Sequence, residues 1–162
     1  MAEQGSPDDV WAMLKEFRVA MLTTQDEEHL VSRPMASLAR PEDNRIYFIT
    51  RLDSGKTHEI GRAAPVNLAY ASEKKENYLS VAGTATTSQD RQKLNELWSF
   101  FAEAWLPEGP DHPDVALIEV TPEDAKLWDG NRSSLIQGVK MLSAVATQSP
   151  PSTGTVKEVH MS

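Results

Sequence analysis

The chain has 162 residues, 40% of them apolar, and a formal net charge of −8 at pH 7. This length suits one domain with a real core, and the acidic balance argues against nucleic acid or an anionic membrane surface as the main partner, because both require a basic face. The absence of cysteine excludes disulfides, zinc thiolates and thiol catalysis and suits a cytoplasmic location. We also expect no secretory signal and no membrane span, because no sufficiently long apolar run occurs.

The first part of the chain predicts a helix followed by short strands. Ser6 or Asp8 can cap the helix, and apolar residues recur behind it at helical spacing. Strands are predicted over 18–24, 29–38 and 45–50, separated by the polar turns 25–28 and 40–44. In the second strand Arg33 and Pro34 point to opposite faces, and Pro34 indicates an edge position because it cannot donate to a ladder. A short helix over 56–63 follows.

The second part predicts more strands, one amphipathic helix and a tail. Strands are expected over 65–71, 78–88 and 115–121, with 125–128 as a continuation and Gly83 at a bulge. Between them, a helix capped by Ser88 or Asp90 would present one apolar stripe formed by Leu94, Leu97, Trp98, Phe101 and Trp105. The pattern predicts a mainly β domain, a barrel or sandwich, over 1–142. The low apolarity and paired prolines of 143–162 predict a disordered C-terminal tail.

The segment 32–59 brings polar and basic residues to the ends of predicted elements. The hairpin and the following loop place Arg33, Thr50, Ser54 and Lys56 where they could converge on one phosphate-sized anion. A nucleotide-binding P-loop is disfavoured, because its motif needs glycine where this chain has Thr50. Residue types alone favour a plainer alternative, in which Lys56 is solvated and Arg33 pairs with a carboxylate.

The ordered motifs SRPM, YFITRLDSGKTHEI and PVNLAYASEKKENYLSVAGTATTSQD resemble the FMN-binding split barrel of the pyridoxamine 5′-phosphate oxidase superfamily. The segments RQKLNELWSFFAEAWLPEGPDHPD and VALIEVTPEDAKLWDG are similar to its general stress protein 26 branch. The resemblance covers about residues 8–130. It implies a six-stranded antiparallel split β-barrel that forms a homodimer with FMN at the subunit interface.

The resemblance also implies cofactor-binding roles for individual residues. Arg33 matches the arginine that reaches the FMN phosphate, and the loop that closes on that phosphate matches Ser54, Gly55 and Lys56. Backbone groups that run along the flavin match Pro34, Met35 and Ala36. Positions that contact the ring or the ribityl chain match Ile49 and Thr50. Trp105 and Trp128 match ring contacts from the partner chain.

The resemblance implies a flavoprotein with FMN, or alternatively FAD, that transfers hydride or electrons with NADH or NADPH as the donor. The C-terminal region lacks the Arg-x-His-like pattern with which the oxidase holds its substrate phosphate, so oxidation of pyridoxamine phosphate is not expected. The alternatives left open are a flavin-binding or sensing module without turnover, and a relative that prefers F420 or haem. The histidines show no metal-ligand spacing, and no residue stands out as a catalytic acid or base.

Overall fold

The computed structural model describes residues 3–130 and 155–161. The strands are β1 (Glu3–Gln4), β2 (Val19–Asp26), β3 (His29–Ala36), β4 (Leu38–Arg40), β5 (Arg45–Arg51), β6 (Ala64–Ser72), β7 (Asn77–Ser88), β8 (Val115–Asp129) and β9 (Thr155–His160). The helices are α1 (Pro7–Leu14), α2 (Gly55–Ile60), α3 (Arg91–Leu97) and α4 (Phe100–Trp105), with a 3-10 turn at Pro41–Asp43. Mainly β architecture with few helices confirms the predicted fold class, and the six predicted strands correspond to β2, β3, β5, β6, β7 and β8.

All nine strands belong to one sheet that is antiparallel except where β1 pairs with β9. Its order is β1-β9-β8-β7-β6-β2-β3, and β5 joins the long strand β8 at the latter's N-terminal half and also pairs with β4. Among the described strands no ladder joins β3 to β5, so the sheet is not closed by hydrogen bonds. The chain itself crosses this gap from β3 to β4 through Ser37. The result is an open, barrel-like sheet that is consistent with a split barrel.

Gly83 in β7 is where the longest ladder of the sheet changes register. The pairing between β7 and β8 shifts between Ala82 and Gly83, as the sequence predicted. A Cβ at Gly83 would lie 2.3 Å from the carbonyl oxygen of Thr121, so only glycine permits this approach of the two backbones. Strand β8 pairs with β5 through its first half and with β9 through its second half, so this one strand joins both parts of the sheet.

Two apolar clusters hold the fold together. The larger one fills the inside of the curved sheet beneath α1, and its fully buried members include Leu22, Phe48, Leu68 and Ile118. The smaller one packs α3 against β5 and the start of β8 through Tyr47, Leu94, Leu97, Leu106, Val115 and Leu117. Ser6 begins α1 with a capping box that it shares with Asp9.

The structure corrects the single predicted helix after Asp90. Trp98 adopts an extended conformation with ψ 136°, and Ser99 begins a new helix by accepting a hydrogen bond from the amide of Ala102 at 3.3 Å. The apolar stripe therefore divides: Leu94 and Leu97 are buried beneath α3, whereas the aromatic residues of α4 are exposed. The stripe pattern does not detect the break because Ser99 is also tolerated inside helices.

The C-terminal end also differs from the predicted tail. Thr155–His160 form β9 and extend the sheet beside β8, with Val159 and Met161 buried in the main core. These two apolar residues explain the docking, which the overall polarity of the segment concealed. Residues 143–154 of the predicted tail lie outside the described residues. Within the described ranges, no helix has the length and apolar character needed to cross a membrane.

Candidate functional site

Arg33 lies on the inward face of the edge strand β3, opposite Leu22 of β2. Its Nη2 donates to Glu59 Oε2 at 2.7 Å, and its Nη1 donates to the hydroxyl of Thr24. Thr24 in turn donates to the same carboxylate oxygen. Three elements, β2, β3 and α2, therefore meet at one ion pair, and the plainer alternative is right that Arg33 has a carboxylate partner.

The ion pair is largely withdrawn from solvent. The side chains of Arg33 and Glu59 are 21% and 10% exposed. Burial pushes the pKa of Glu59 upward, but the hydrogen bond from Thr24 and the bond and charge of Arg33 outweigh it, so the pKa lies below its ordinary value. Glu59 is thus ionised at neutral pH and fixes one edge of the guanidinium.

Lys56 supplies a second positive charge close to the first. It stands three residues before Glu59, on the same side of α2. Burial, and then the charge of Arg33, lower the pKa of the Lys56 ammonium, while Glu59 and Asp53 pull it upward. Lys56 forms no ion pair with any carboxylate of the described residues. Glu59 is thus ion-paired with Arg33 alone, and Lys56 adds a partly buried positive charge that no described carboxylate contacts directly.

Hydroxyl groups at the end of β5, in the following loop and in α2 form a second polar cluster. Thr50 Oγ1 lies 3.4 Å from Ser54 Oγ, and Ser54 Oγ lies 3.2 Å from Thr57 Oγ1. The Thr57 hydroxyl reaches the carbonyl oxygens of Leu52 and Ser54 at 2.5 and 2.6 Å, which folds the loop back onto α2. Among the described contacts none links these hydroxyls to Arg33 or Lys56 by a hydrogen bond.

The structure places the other predicted site residues around these two clusters. Pro34 and Ala36 are exposed on the outer face of β3, whereas Met35 packs against the main core. Gly55 begins α2, and Ile49 packs partly buried against the smaller core. The structure thus links Arg33 to Glu59 and Thr24, and Thr50 to Ser54, and their convergence on one ligand stays a prediction.

Trp105 and Trp128 stand apart from the two cations. Trp105 is 83% exposed on α4. Trp128 is half-buried on β8, beneath the Lys126 ammonium, which lies 6.0 Å from the ring centroid. Within the described parts of the chain, neither ring has a polar or ring contact with Arg33 or Lys56. The resemblance implies that these tryptophans contact a flavin ring from the partner chain, and this stays a prediction.

The sequence analysis missed Thr24, Glu59 and Thr57. Glu59 had a usable signal, because a residue three positions after Lys56 in a helix shares its face. Thr24 had a weaker one, since period two places it on the same face as Leu22, the cross-strand partner of Arg33. Thr57 had no signal of its own, because in the sequence it is only the last residue of Gly-Lys-Thr. In the structure its hydroxyl holds the loop through the carbonyl oxygens of Leu52 and Ser54.

The family model described as "Pyridoxamine 5′-phosphate oxidase like" matches residues 6–152. General stress protein 26 of Bacillus subtilis is 25% identical over 137 residues, which cover 83% of this chain and 96% of that protein.

Solved structures of general stress proteins are also similar to this chain. A general stress protein 26 from Jannaschia sp. CCS1 has a TM-score of 0.78 and 25% identity, over 94% of this chain and 96% of that one. A general stress FMN/FAD binding protein from Xanthomonas citri has a TM-score of 0.69 and 26% identity, over 79% and 90%. The predicted resemblance is confirmed, and the chain belongs to the pyridoxamine 5′-phosphate oxidase like family.

Proposed function

We propose that the protein binds a flavin, with FMN as the first candidate, and that Arg33 and Lys56 hold its phosphate. We call these two residues, together with Thr24 and Glu59, the phosphate cradle. The observation that carries the proposal is the pair of neighbouring cations of which only Arg33 has an ion pair, with Glu59, while Lys56 has none among the described residues, since such a site gains from an additional anion. A similar structure is described as an FMN/FAD binding protein.

The donor chemistry of the cradle fits a phosphate ester. The guanidinium of Arg33 keeps N–H groups beyond the two that bond Thr24 and Glu59, and planar N–H pairs suit phosphate oxygens. Lys56 would add a point charge, and the hydroxyls of Thr50 and Ser54 could bond the same phosphate or the ribityl chain. When bound, the flavin would supply hydride or electron transfer, and the protein would supply binding, orientation and electrostatics.

A homodimer forms part of the proposal. Val19, Met21 and Leu30 are exposed large apolar residues on β2 and β3. The exposed aromatic residues of α4 add a second apolar surface. Exposed apolar area of this extent favours a protein partner, and a second copy of the chain would cover it and could bring Trp105 or Trp128 towards a flavin ring.

Flavin binding and turnover need separate tests. The purified protein, incubated with FMN, FAD or riboflavin and freed of excess ligand, is expected to retain the phosphorylated flavins and to lose riboflavin. Retention of none of them, or of riboflavin equally, would contradict the proposal. Anaerobic addition of NADH or NADPH then separates an oxidoreductase, whose flavin absorbance bleaches, from a binding or sensing module, whose absorbance persists.

A further inference from the structure

Glu59 is an unexpected residue in a site for an anion. Its carboxylate lies in the cradle at 2.7 Å from Arg33 Nη2, and its side chain is 10% exposed, so solvent screens its charge poorly. A phosphate that approaches Arg33 and Lys56 also approaches this negative charge. Replacing the carboxylate by a neutral amide of the same shape would leave a more positive cradle.

Groups from three neighbouring elements face the Glu59 carboxylate. Thr24 of β2 contributes a neutral hydroxyl, Arg33 of β3 a positive charge, and Lys56 of α2 a second positive charge. Asp53, in the loop before α2, acts on Lys56 from the other side. Arg33, Lys56 and Glu59 together carry two positive charges and one negative charge, a formal sum of +1, and the Asp53 carboxylate near Lys56 lowers the net charge of the wider site.

This inference rests on the proposed function. We propose that Glu59 sets the charge selectivity of the phosphate cradle by reducing the advantage that the two cations give a doubly charged phosphate over a singly charged one. The electrostatic energy between Glu59 and a bound phosphate is proportional to the phosphate charge. Glu59 therefore disfavours the dianionic phosphate of FMN more strongly than the pyrophosphate of FAD, which carries one charge on each phosphate and can place only one of them in the cradle, and it leaves riboflavin unaffected.

The proposal predicts a graded response to Glu59→Gln. If one phosphate charge beside Glu59 changes affinity by about fivefold, a typical effect of one charge pair, the two charges of FMN imply a gain of about 25-fold, and FAD, with only one of its two charges in the cradle, should gain less than FMN. Riboflavin affinity should change by less than about twofold, since it carries no phosphate charge. Dissociation constants for the three flavins would be measured by fluorescence titration at pH 8, where a phosphate monoester with a second pKa of about 6 is doubly charged.

Controls separate charge from shape. Glu73→Gln removes one charge from the exposed turn between β6 and β7 and should leave all three affinities at the wild-type level. Glu59→Asp keeps the charge and should keep the wild-type ratio of FMN to FAD affinity. If Glu59→Gln folds poorly, Glu59→Ala replaces it, because the ratio of two ligands within one variant does not depend on the folded fraction.

Three outcomes would overturn the inference: an unchanged ratio of FMN to FAD affinity in Glu59→Gln, an equal change for all three flavins, or a larger gain for FAD than for FMN. Arg33→Ala, titrated in parallel, separates this failure from that of the proposed function. If Arg33→Ala weakens FMN but Glu59→Gln gives no graded response, only the role of Glu59 is wrong. If Arg33→Ala binds FMN like the wild type, the cradle does not hold the phosphate and both proposals fall.

Discussion

The phosphate cradle and the aromatic surface of α4 are organised in opposite ways. The cradle is built from three elements of one chain, and its Arg33 and Glu59 side chains are bonded and mostly buried. On α4, Phe100, Phe101 and Trp105 are 80%, 59% and 83% exposed. The Arg18 guanidinium, 5.0 Å from the Phe101 ring centroid, covers part of this surface.

The difference indicates which part of the site one chain can complete alone. The charged groups of the cradle are already oriented in the single subunit, so they need little rearrangement to bind an anion. The aromatic residues of α4 are not buried by the described residues, and large exposed aromatic residues are typical of interface anchors. We therefore expect substitutions in the cradle to change ligand affinity and those on α4 to change assembly.

Substitutions of two tryptophans, one in the main core and one on α4, should have the largest effects and test whether α4 acts in assembly rather than in folding. Trp11→Ala empties a buried position of the main core and should lower the free energy of unfolding by about 3–5 kcal/mol. Trp105→Ala should change the unfolding free energy of the monomer by less than about 0.5 kcal/mol. It should raise the dimer dissociation constant by at least about 30-fold, as at an interface hot spot. Denaturant unfolding at low protein concentration and sedimentation velocity measure the two quantities. A Trp105→Ala protein that dimerises like the wild type would remove α4 from the interface.

Arg33→Ala should produce the largest change in ligand binding. Loss of a charge-assisted phosphate contact costs about 1.5–3 kcal/mol, or about 10- to 150-fold in FMN affinity, and the Glu59 charge left behind would add repulsion. Isothermal titration with FMN measures the effect. Arg40→Ala is the matched control, since Arg40 lies at the end of β4, donates to the carbonyl oxygen of Ala39 at 3.0 Å and lies 3.9 Å from Glu42. Equal affinities in the two variants would argue against the cradle.

Lys56→Gln should weaken FMN and stabilise the ligand-free protein. As a single charge-assisted contact it should contribute about tenfold to FMN affinity. Because burial and Arg33 lower the pKa of Lys56 in the folded state, its charge disfavours folding at every pH below the ordinary pKa of 10.5, including neutral pH. Thermal unfolding without ligand should thus give a higher Tm for Lys56→Gln than for the wild type. The exposed Lys74→Gln serves as control, and a lower Tm for Lys56→Gln would show that the ammonium is structurally paired.

Glu59→Gln should change the response of the ligand-free protein to acid, the smallest of these effects. The lowered pKa means that the ionised carboxylate stabilises the fold above its ordinary pKa of 4.5, and that this contribution is lost as the pH falls through the folded-state value. The variant should be less stable than the wild type at neutral pH, and the difference should shrink as the pH falls below 4.5. Urea unfolding between pH 3 and 7, with Glu73→Gln as control, measures this difference. Parallel curves for Glu59→Gln and the wild type would contradict the assignment.

Much of the fold was predictable because its signals are local. The alternation of β3 separates Arg33 from Pro34 without reference to the rest of the chain, and Gly83 indicates its own bulge. The break at Trp98 and the docking of β9 depend on tertiary contacts. Leu94 and Leu97 pack against β5 and β8, and Val159 and Met161 enter a core assembled from distant strands. No short window of sequence contains this information.

The candidate site likewise has a part that the sequence could predict and a part that it could not. Arg33 of the second strand and Lys56 of the following loop were predicted to converge on one phosphate-sized anion, but the ion pair with Glu59 and the role of Thr24 depend on how α2 packs against β2 and β3. The identity of the partner of Arg33 mattered most, because it converts two adjacent cations into a cradle with a defined net charge. Sequence reasoning anticipated a carboxylate in general terms and could not select Glu59.

The ratio of the riboflavin and FMN dissociation constants of the wild-type protein tests the central claim most directly. The two ligands share the ring and the ribityl chain and differ only in the phosphate, so the ratio isolates the contribution of the cradle. Two charge-assisted contacts of at least about 1.5 kcal/mol each predict that FMN binds more than about 100-fold tighter than riboflavin. Equal affinities would contradict the claim that Arg33 and Lys56 bind the phosphate.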